Sequence, residues 1–185
     1  MKLTRSQIIK IQKNRDPYLM MDYANKVIPG KYIEGYKILK KNEWFFKVHW
    51  PGDPNMPGML QVEAMVQMSS LIILTLPGMK NKIFYLVDAN EIKFFKKILP
   101  GDKLKIISNV ISSSRGLFKF KSEGYIANKI AVYLFGTIIM TALVATPLIG
   151  CAKNEVENEE SSPSAKSKSI RKLAAELDTR ETDID

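Results

Sequence analysis

Two periods govern the apolar residues of this chain. From Met59 to about Leu74, Met, Leu, Val, Ala and Ile fall on nearly every face of a helix, and the only charge is Glu63. A helix that is apolar all round has no face to offer water, so it is predicted to lie buried. Pro57-Gly58 opens it, because proline in a first helical turn loses no hydrogen bond, and Pro77-Gly78 stops it. Elsewhere the period is two. Leu117–Tyr125 sets Phe118, Phe120 and Ser122 against Lys119, Lys121 and Glu123, and Leu104–Ser112 alternates through Leu104, Ile106 and Val110. Ile83–Val87 and Ala89–Leu99 are strand-like runs, the second with Ile92, Phe94 and Phe95 among lysines. Turn signals separate these segments at Pro100-Gly101-Asp102, Ser113–Gly116 and Asn128-Lys129. Strands at this spacing predict an antiparallel meander, here wrapped around the central helix in an α+β fold.

Ahead of the helix the pattern is shorter-ranged. Ile8, Ile9 and Ile11 predict a short amphipathic helix or turn. Arg15–Tyr23 reads as a turn into a short apolar segment. Lys26–Lys41 contains the turn signal Pro29-Gly30, and Ile33, Tyr36 and Ile38 predict a strand after it. Asn42–Trp44 is a break, and Phe45, Phe46 and Val48 lead to His49.

Ile130–Gly150 has no charged residue and is long enough to span a bilayer as a helix. Its first half is rich in β-branched and aromatic residues and follows a hairpin-like turn, so a buried strand over Ile130–Thr141 is the expectation. A membrane association is not expected. Leu148-Ile149-Gly150-Cys151 resembles a lipoprotein-processing site, but it is internal. Lys153–Lys168 is charged and Ser-rich, with little to bury, and is expected to be disordered. Ser169–Asp178 places Ile170, Leu173, Ala174 and Leu177 at helical spacing behind Ser169 as a cap. The predicted organisation is a domain over 1–141, an apolar extension and linker over 142–168, and a short helix and tail over 169–185.

Composition changes this picture in two respects. The net charge of the 185 residues is +9, and the six basic and nine acidic residues from Lys153 onward make the remainder more basic still. A basic body attracts polyanions. The candidates are nucleic acid, an anionic membrane or an acidic protein partner, and lysines scattered between strand residues without a nucleic-acid motif argue against the first. The single cysteine, Cys151, excludes an intrachain disulfide framework and fits a reducing compartment. The first residues carry charge with no continuous apolar run after it, unlike a secretory signal. The expected location is the cytoplasm.

The candidate chemistry lies in Val48–Gln67. His49 is the only histidine of the chain. The first N–H groups of a helix starting at Gly58, those of Gly58 and Met59, lack intrahelical partners and favour negative charge ahead of the helix. Glycine there lets a carbonyl oxygen approach the backbone. Glu63 follows roughly 7–8 Å along the axis, about the length of a small acyl fragment. A buried glutamate without work to do is costly. Backbone donors that polarise a thioester carbonyl, a neutral imidazole that takes the adjacent proton and a carboxyl that protonates a departing hydroxyl together amount to removal of water from a β-hydroxyacyl group.

The same segment resembles the β-hydroxyacyl-acyl carrier protein dehydratases of type II fatty acid synthesis. Their pattern, Gly-His-Phe-Pro-Gly-x-Pro-x-Met-Pro-Gly-Val-Leu-x-x-Glu-Ala-x-x-Gln, is matched at His49, Pro51, Gly52, Pro54, Met56, Pro57, Gly58, Leu60, Glu63, Ala64 and Gln67. Lys93-Phe94, Pro100-Gly101-Asp102, Gly116 and Phe118-Lys119-Phe120 extend the likeness, which covers most of residues 10–141. The resemblance implies the hot-dog fold and a homodimer, often arranged further as a trimer of dimers. It implies His49 and Glu63 as catalytic residues facing each other across subunits, and the helix-start amide at Gly58 on the thioester carbonyl. No metal or other cofactor is implied. The acyl group arrives on an acidic acyl carrier protein, which Lys93, Lys96 and Lys97 are candidates to meet. Val48 and Trp50 depart from the family's glycine and phenylalanine and add bulk beside the base, and Asn14 stands where the family often has histidine. Glu63 in place of the aspartate of the isomerising branch implies dehydration without double-bond isomerisation. Two alternatives share the fold: a hot-dog thioesterase and a non-catalytic subunit that binds acyl carrier protein.

Overall fold

The computed structural model describes residues 1–140. A short helix, α1 (Arg5–Ile11), precedes the hairpin β1 (Tyr23–Ile28) and β2 (Tyr32–Ile38). The central helix α2 (Gly58–Leu74) follows, then β3 (Phe84–Phe94), β4 (Lys103–Ser114), β5 (Leu117–Ile126) and β6 (Lys129–Met140). All pairings are antiparallel, and the six strands form one sheet in the order β1-β2-β4-β5-β6-β3. The α+β hot-dog architecture is therefore present, with the predicted buried helix at its centre. The segments expected over 142–168 and 169–185 lie outside the described residues. Among the described residues no helix is long and apolar enough to cross a membrane.

The sheet's inner face shows why the helix sits where it does. Val27, Ile33, Ser108, Ser122, Leu134 and Ile92 lie in one cross-strand row. Small residues in this layer admit the helix closely. A Cβ on Gly35 would fall 2.6 Å from the Met68 sulfur. The buried hydroxyls are paired: Ser69 donates to the Met65 carbonyl at 2.7 Å and meets the Ser108 hydroxyl at 2.7 Å. On the other face, Tyr23, Tyr36, Lys105 and Tyr125 form a row, and Lys103 lies 4.3 Å above the Tyr36 ring. Tyr36 and Ile38 thus belong to the outer face, while Ile33 is in the core.

Several expectations need correction. The strands are not a simple meander. β4, β5 and β6 are joined in sequence, but β3 crosses to the far edge beside β6, and β4 returns to β2. Period-two patterning reports which face a residue takes and carries no information on which strand lies next to which. Ile83–Val87 and Ala89–Leu99 are not two strands. Phe84–Phe94 is one strand with irregularities in its pairing between Leu86 and Asp88 and between Ala89 and Glu91. Each inserts a residue and shifts the alternation, which is why the run read as broken. The turn expected over Ser113–Gly116 contracts to Arg115-Gly116, and the last hairpin turns at Ala127-Asn128, where both residues have positive φ. The helix ends at Leu74 with Thr75 as its cap, ahead of Pro77. Ile8 of α1 is fully buried, as predicted, with Ile9 and Ile11 packed on the core.

The inner face also holds a lysine. Lys37 of β2 is 4% exposed and pairs with Glu43 at 2.5 Å, bracing the segment that leads into His49. Removing one partner of such a pair leaves a buried charge uncompensated. Glu43→Ala is expected to lower unfolding stability by about 3–5 kcal/mol, read as a fall in the urea midpoint, whereas Glu34→Ala on the outer face should move it far less.

Candidate active site

His49 is presented by a short, tightly braced loop. A single 3-10 turn, Trp44–Lys47, buries Phe45 and Phe46, and the amides of Val48 and His49 bond back to the Phe45 carbonyl at 3.2 and 2.9 Å. Trp50 and Asp53 then exchange backbone hydrogen bonds, with Gly52 at φ 90° between them. The Asn55 amide donates to the His49 carbonyl at 3.0 Å, and His49 Nδ1 lies 3.1 Å from the Asn55 carbonyl. A carbonyl oxygen only accepts, so the proton of the neutral imidazole is on Nδ1, and Nε2 carries the lone pair. The half-buried imidazole is therefore set as a base through one nitrogen. Trp50 stacks on it with ring centroids 4.4 Å apart, while Val48 is 64% exposed and turned to solvent.

The loop delivers the chain to the start of α2. The Met56 amide bonds the Ile98 carbonyl, and the Leu60 and Gln61 amides take the Pro57 carbonyl. Pro57, at the helix cap, supplies no side-chain acceptor. The Gly58 and Met59 amides have no hydrogen-bond partner among the described residues. The Phe94 ring lies against Gly58 so closely that an added Cβ would fall 2.9 Å from its Cζ. A side chain here would make the half-exposed Phe94 ring shift, and glycine leaves the backbone open to an approaching carbonyl.

Glu63 lies one and a half turns further along α2, half-buried. Its carboxylate accepts from Gln67 Nε2 at 2.6 Å, one turn along the helix. Gln67 also donates to the Tyr18 carbonyl at 2.9 Å and accepts from the Met20 amide at 2.9 Å. One amide group thus ties the acid to the loop before β1. The Tyr18 hydroxyl is held above its ordinary pKa, first by partial burial and then by the Glu63 carboxylate.

A cavity of about 220 Å³ opens beside Glu63. Its helix wall is Glu63, Val66, Gln67, Ser70 and Leu74, a single face running roughly 16 Å along the axis. The first residues of β3 and the segment Gln12–Asn14 complete it. Asn14, where histidine was expected from the resemblance, accepts from Gln12 Nε2 at 2.8 Å and stands on the cavity wall. His49 does not line this cavity. Within this chain His49 and Glu63 do not share the cavity; Glu63 lines it, and His49 stands half-exposed on the loop ahead of the helix.

The three candidate docking lysines are exposed at the end of β3. Lys93 pairs with Glu91 at 2.6 Å and Lys97 with Asp53 at 2.5 Å, so Lys97 also braces the His49 loop. Among the described residues no group of three or more metal-ligating acids, histidines or cysteines occurs. Three contributions escaped the sequence reading. The role of Gln67 had a signal, its i+4 spacing from Glu63. The Asn55 carbonyl had none, being backbone. The contact of Phe94 with Gly58 depends on the crossover that places β3.

Comparison with known proteins agrees with this geometry. The model of the FabA-like domain matches residues 13–134. The chain is 34% identical over 140 residues to the 3-hydroxyacyl-[acyl-carrier-protein] dehydratase FabZ of Nitratidesulfovibrio vulgaris strain Miyazaki F, covering 75% of this chain and 88% of that protein. It is 39% identical over 111 residues to the protein of the same name from Clostridium novyi, covering 60% and 78%. Among solved structures, the dehydratase heterocomplex ApeI:P of Xenorhabdus doucetiae aligns with a TM-score of 0.61 at 12% identity, over 72% of this chain and 90% of that one. A hypothetical thioesterase of Streptococcus pneumoniae, solved with coenzyme A, aligns at 0.51 and 13%, over 63% and 83%. These two support the fold alone.

Gln67→Leu keeps the volume of the side chain but strands the buried Met20 amide and the Tyr18 carbonyl. It is expected to cost about 1–3 kcal/mol of stability, measured by urea unfolding; an unchanged midpoint would mean the bracket does not form.

Proposed function

Because this chain belongs to the FabA-like family, we propose that it removes water reversibly from β-hydroxyacyl groups carried on acyl carrier protein, giving the trans-2-enoyl thioester in fatty acid or related lipid biosynthesis. The observation that carries this reading is the start of α2. Two amides without a partner among the described residues stand about one and a half turns from a carboxyl on a cavity wall, in a chain whose one histidine has its Nδ1 on a carbonyl.

The steps follow from the groups available. The thioester carbonyl accepts from the Gly58 and Met59 amides, which stabilise negative charge on its oxygen as the enolate forms. Nε2 of His49 takes the proton from the carbon beside that carbonyl. Glu63, entering the step as the protonated carboxylic acid, donates its proton to the β-hydroxyl, which leaves as water as the double bond closes, and remains as the carboxylate. Proton transfers and electrostatics suffice, so the route requires no metal or organic cofactor. The acyl chain lies in the cavity along α2. Glutamate as the acid fits dehydration without isomerisation.

His49 does not line the cavity that Glu63 faces within one chain, and in this reading a second copy completes the site. β3 supports this assignment. It is an edge strand whose Tyr85, Val87 and Phe94 are about half exposed, an arrangement that isolated proteins generally avoid. Pairing β3 with a second β3 would join two sheets into a homodimer, which three-fold repetition would extend to a trimer of dimers. Lys93, Lys96 and Lys97 lie at the end of the same strand and form the proposed landing for the acidic carrier.

Incubation with a β-hydroxyacyl thioester of acyl carrier protein, followed by enoyl absorbance, tests the reading. His49→Ala and Glu63→Gln are each expected to lower kcat/KM about a hundredfold to ten-thousandfold. Release of free thiol without enoyl formation would instead identify a thioesterase. Carrier binding with neither product would identify a non-catalytic subunit.

A further inference from the structure

We infer that Trp50 is a positioning residue for the catalytic base, a role that rests on the dehydratase reading of His49. The imidazole has two supports in this structure. The hydrogen bond from Nδ1 to the Asn55 carbonyl at 3.1 Å fixes one edge of the ring, and the indole of Trp50 covers one of its faces, with centroids 4.4 Å apart and planes 28° from parallel. A hydrogen bond at a single edge leaves a ring free to rock about that bond. A stacked neighbour removes that freedom and takes one ring face away from water. Nε2 then remains the open position.

Trp50 is itself held for this purpose. Its amide donates to the Asp53 carbonyl and its carbonyl accepts from the Asp53 amide, closing a turn that the Asp53–Lys97 ion pair ties to the chain after β3. Its side chain is 56% exposed, so it fills no hole in the core, and its aromatic neighbour among the described residues is His49. The indole face also attracts the imidazolium that forms once the base has taken its proton. That contact costs nothing to assemble during the reaction, because the ring is already in place.

Trp50→Ala and Trp50→Phe test the inference, with folding checked by circular dichroism. His49 is the only histidine, so its two ring-nitrogen resonances are resolved without assignment. The wild type is expected to give a protonated Nδ1 and a bare Nε2. The Asn55 carbonyl should keep Nδ1 protonated in every variant, while Trp50→Ala should lower the NMR order parameter of the His49 ring, and Trp50→Phe, which keeps a stacking ring, should return it to the wild-type value. In the dehydration assay Trp50→Ala should lower kcat about tenfold with KM within about twofold, and Trp50→Phe should restore most of the loss. An unchanged ring order parameter in Trp50→Ala overturns the inference whatever the rate, since a lost rate would then come from something other than ring placement. A looser ring with an unchanged kcat overturns it too. A wild type with no dehydration activity defeats the dehydratase reading, and the ring order parameter alone then decides whether Trp50 places the ring.

Discussion

The structure follows from a helix that cannot meet water on any side. Thirteen of the seventeen residues of α2 are buried, and the partly polar ones among them, Gln61, Gln67, Ser69 and Ser70, each bond to backbone or to another buried side chain. A two-layer arrangement would cover one stripe of such a helix. A curved sheet of long strands covers more, and Gly35, Ser108 and Ser122 let it come close. The remaining exposure is concentrated at the helix start and along the face that carries Glu63. Those are the places where an acyl thioester can be received, so the same requirement that sets the fold also leaves the site open.

The polar groups left at that opening are few and each is restrained. Glu63 is tied through Gln67 to the segment before β1, His49 through its own ring to Asn55, and Gly58 lies under the Phe94 ring. Restraint of this kind is paid once, in folding, and does not recur in each turnover. A wrapped helix alone does not choose a chemistry. In the reading proposed for this chain, the choice comes from an imidazole with one free nitrogen and a carboxyl on a cavity wall.

Much of this was legible in the residues, and the limits of legibility have physical causes. The buried helix could be read because Glu63 is the one charge between Met59 and Leu74, and its start because Pro57-Gly58 has few other uses. β5 could be read from the clean alternation of Phe118, Phe120 and Ser122. β3 was read as two pieces, because inserted residues shift its alternation twice, and its place at the far edge is a long-range property that no local pattern records. The ion pair of Lys37 with Glu43 was missed because a lysine on a strand ordinarily faces water. At the site, His49, Gly58 and Glu63 stood out by residue type and spacing. The carbonyl that sets the tautomer of His49 and the indole that covers its face did not, since one is backbone and the other had seemed only a bulky substitution.

The central claim is that one acyl group is worked on by the histidine of one chain and the glutamate of another. Mixing His49→Ala with Glu63→Gln subunits under conditions of verified subunit exchange tests it directly. Random pairing gives half mixed dimers, each with one intact site of two, so activity should recover to about a quarter of the wild-type level. Exchange without recovery would place both groups in the same chain's site and contradict the account.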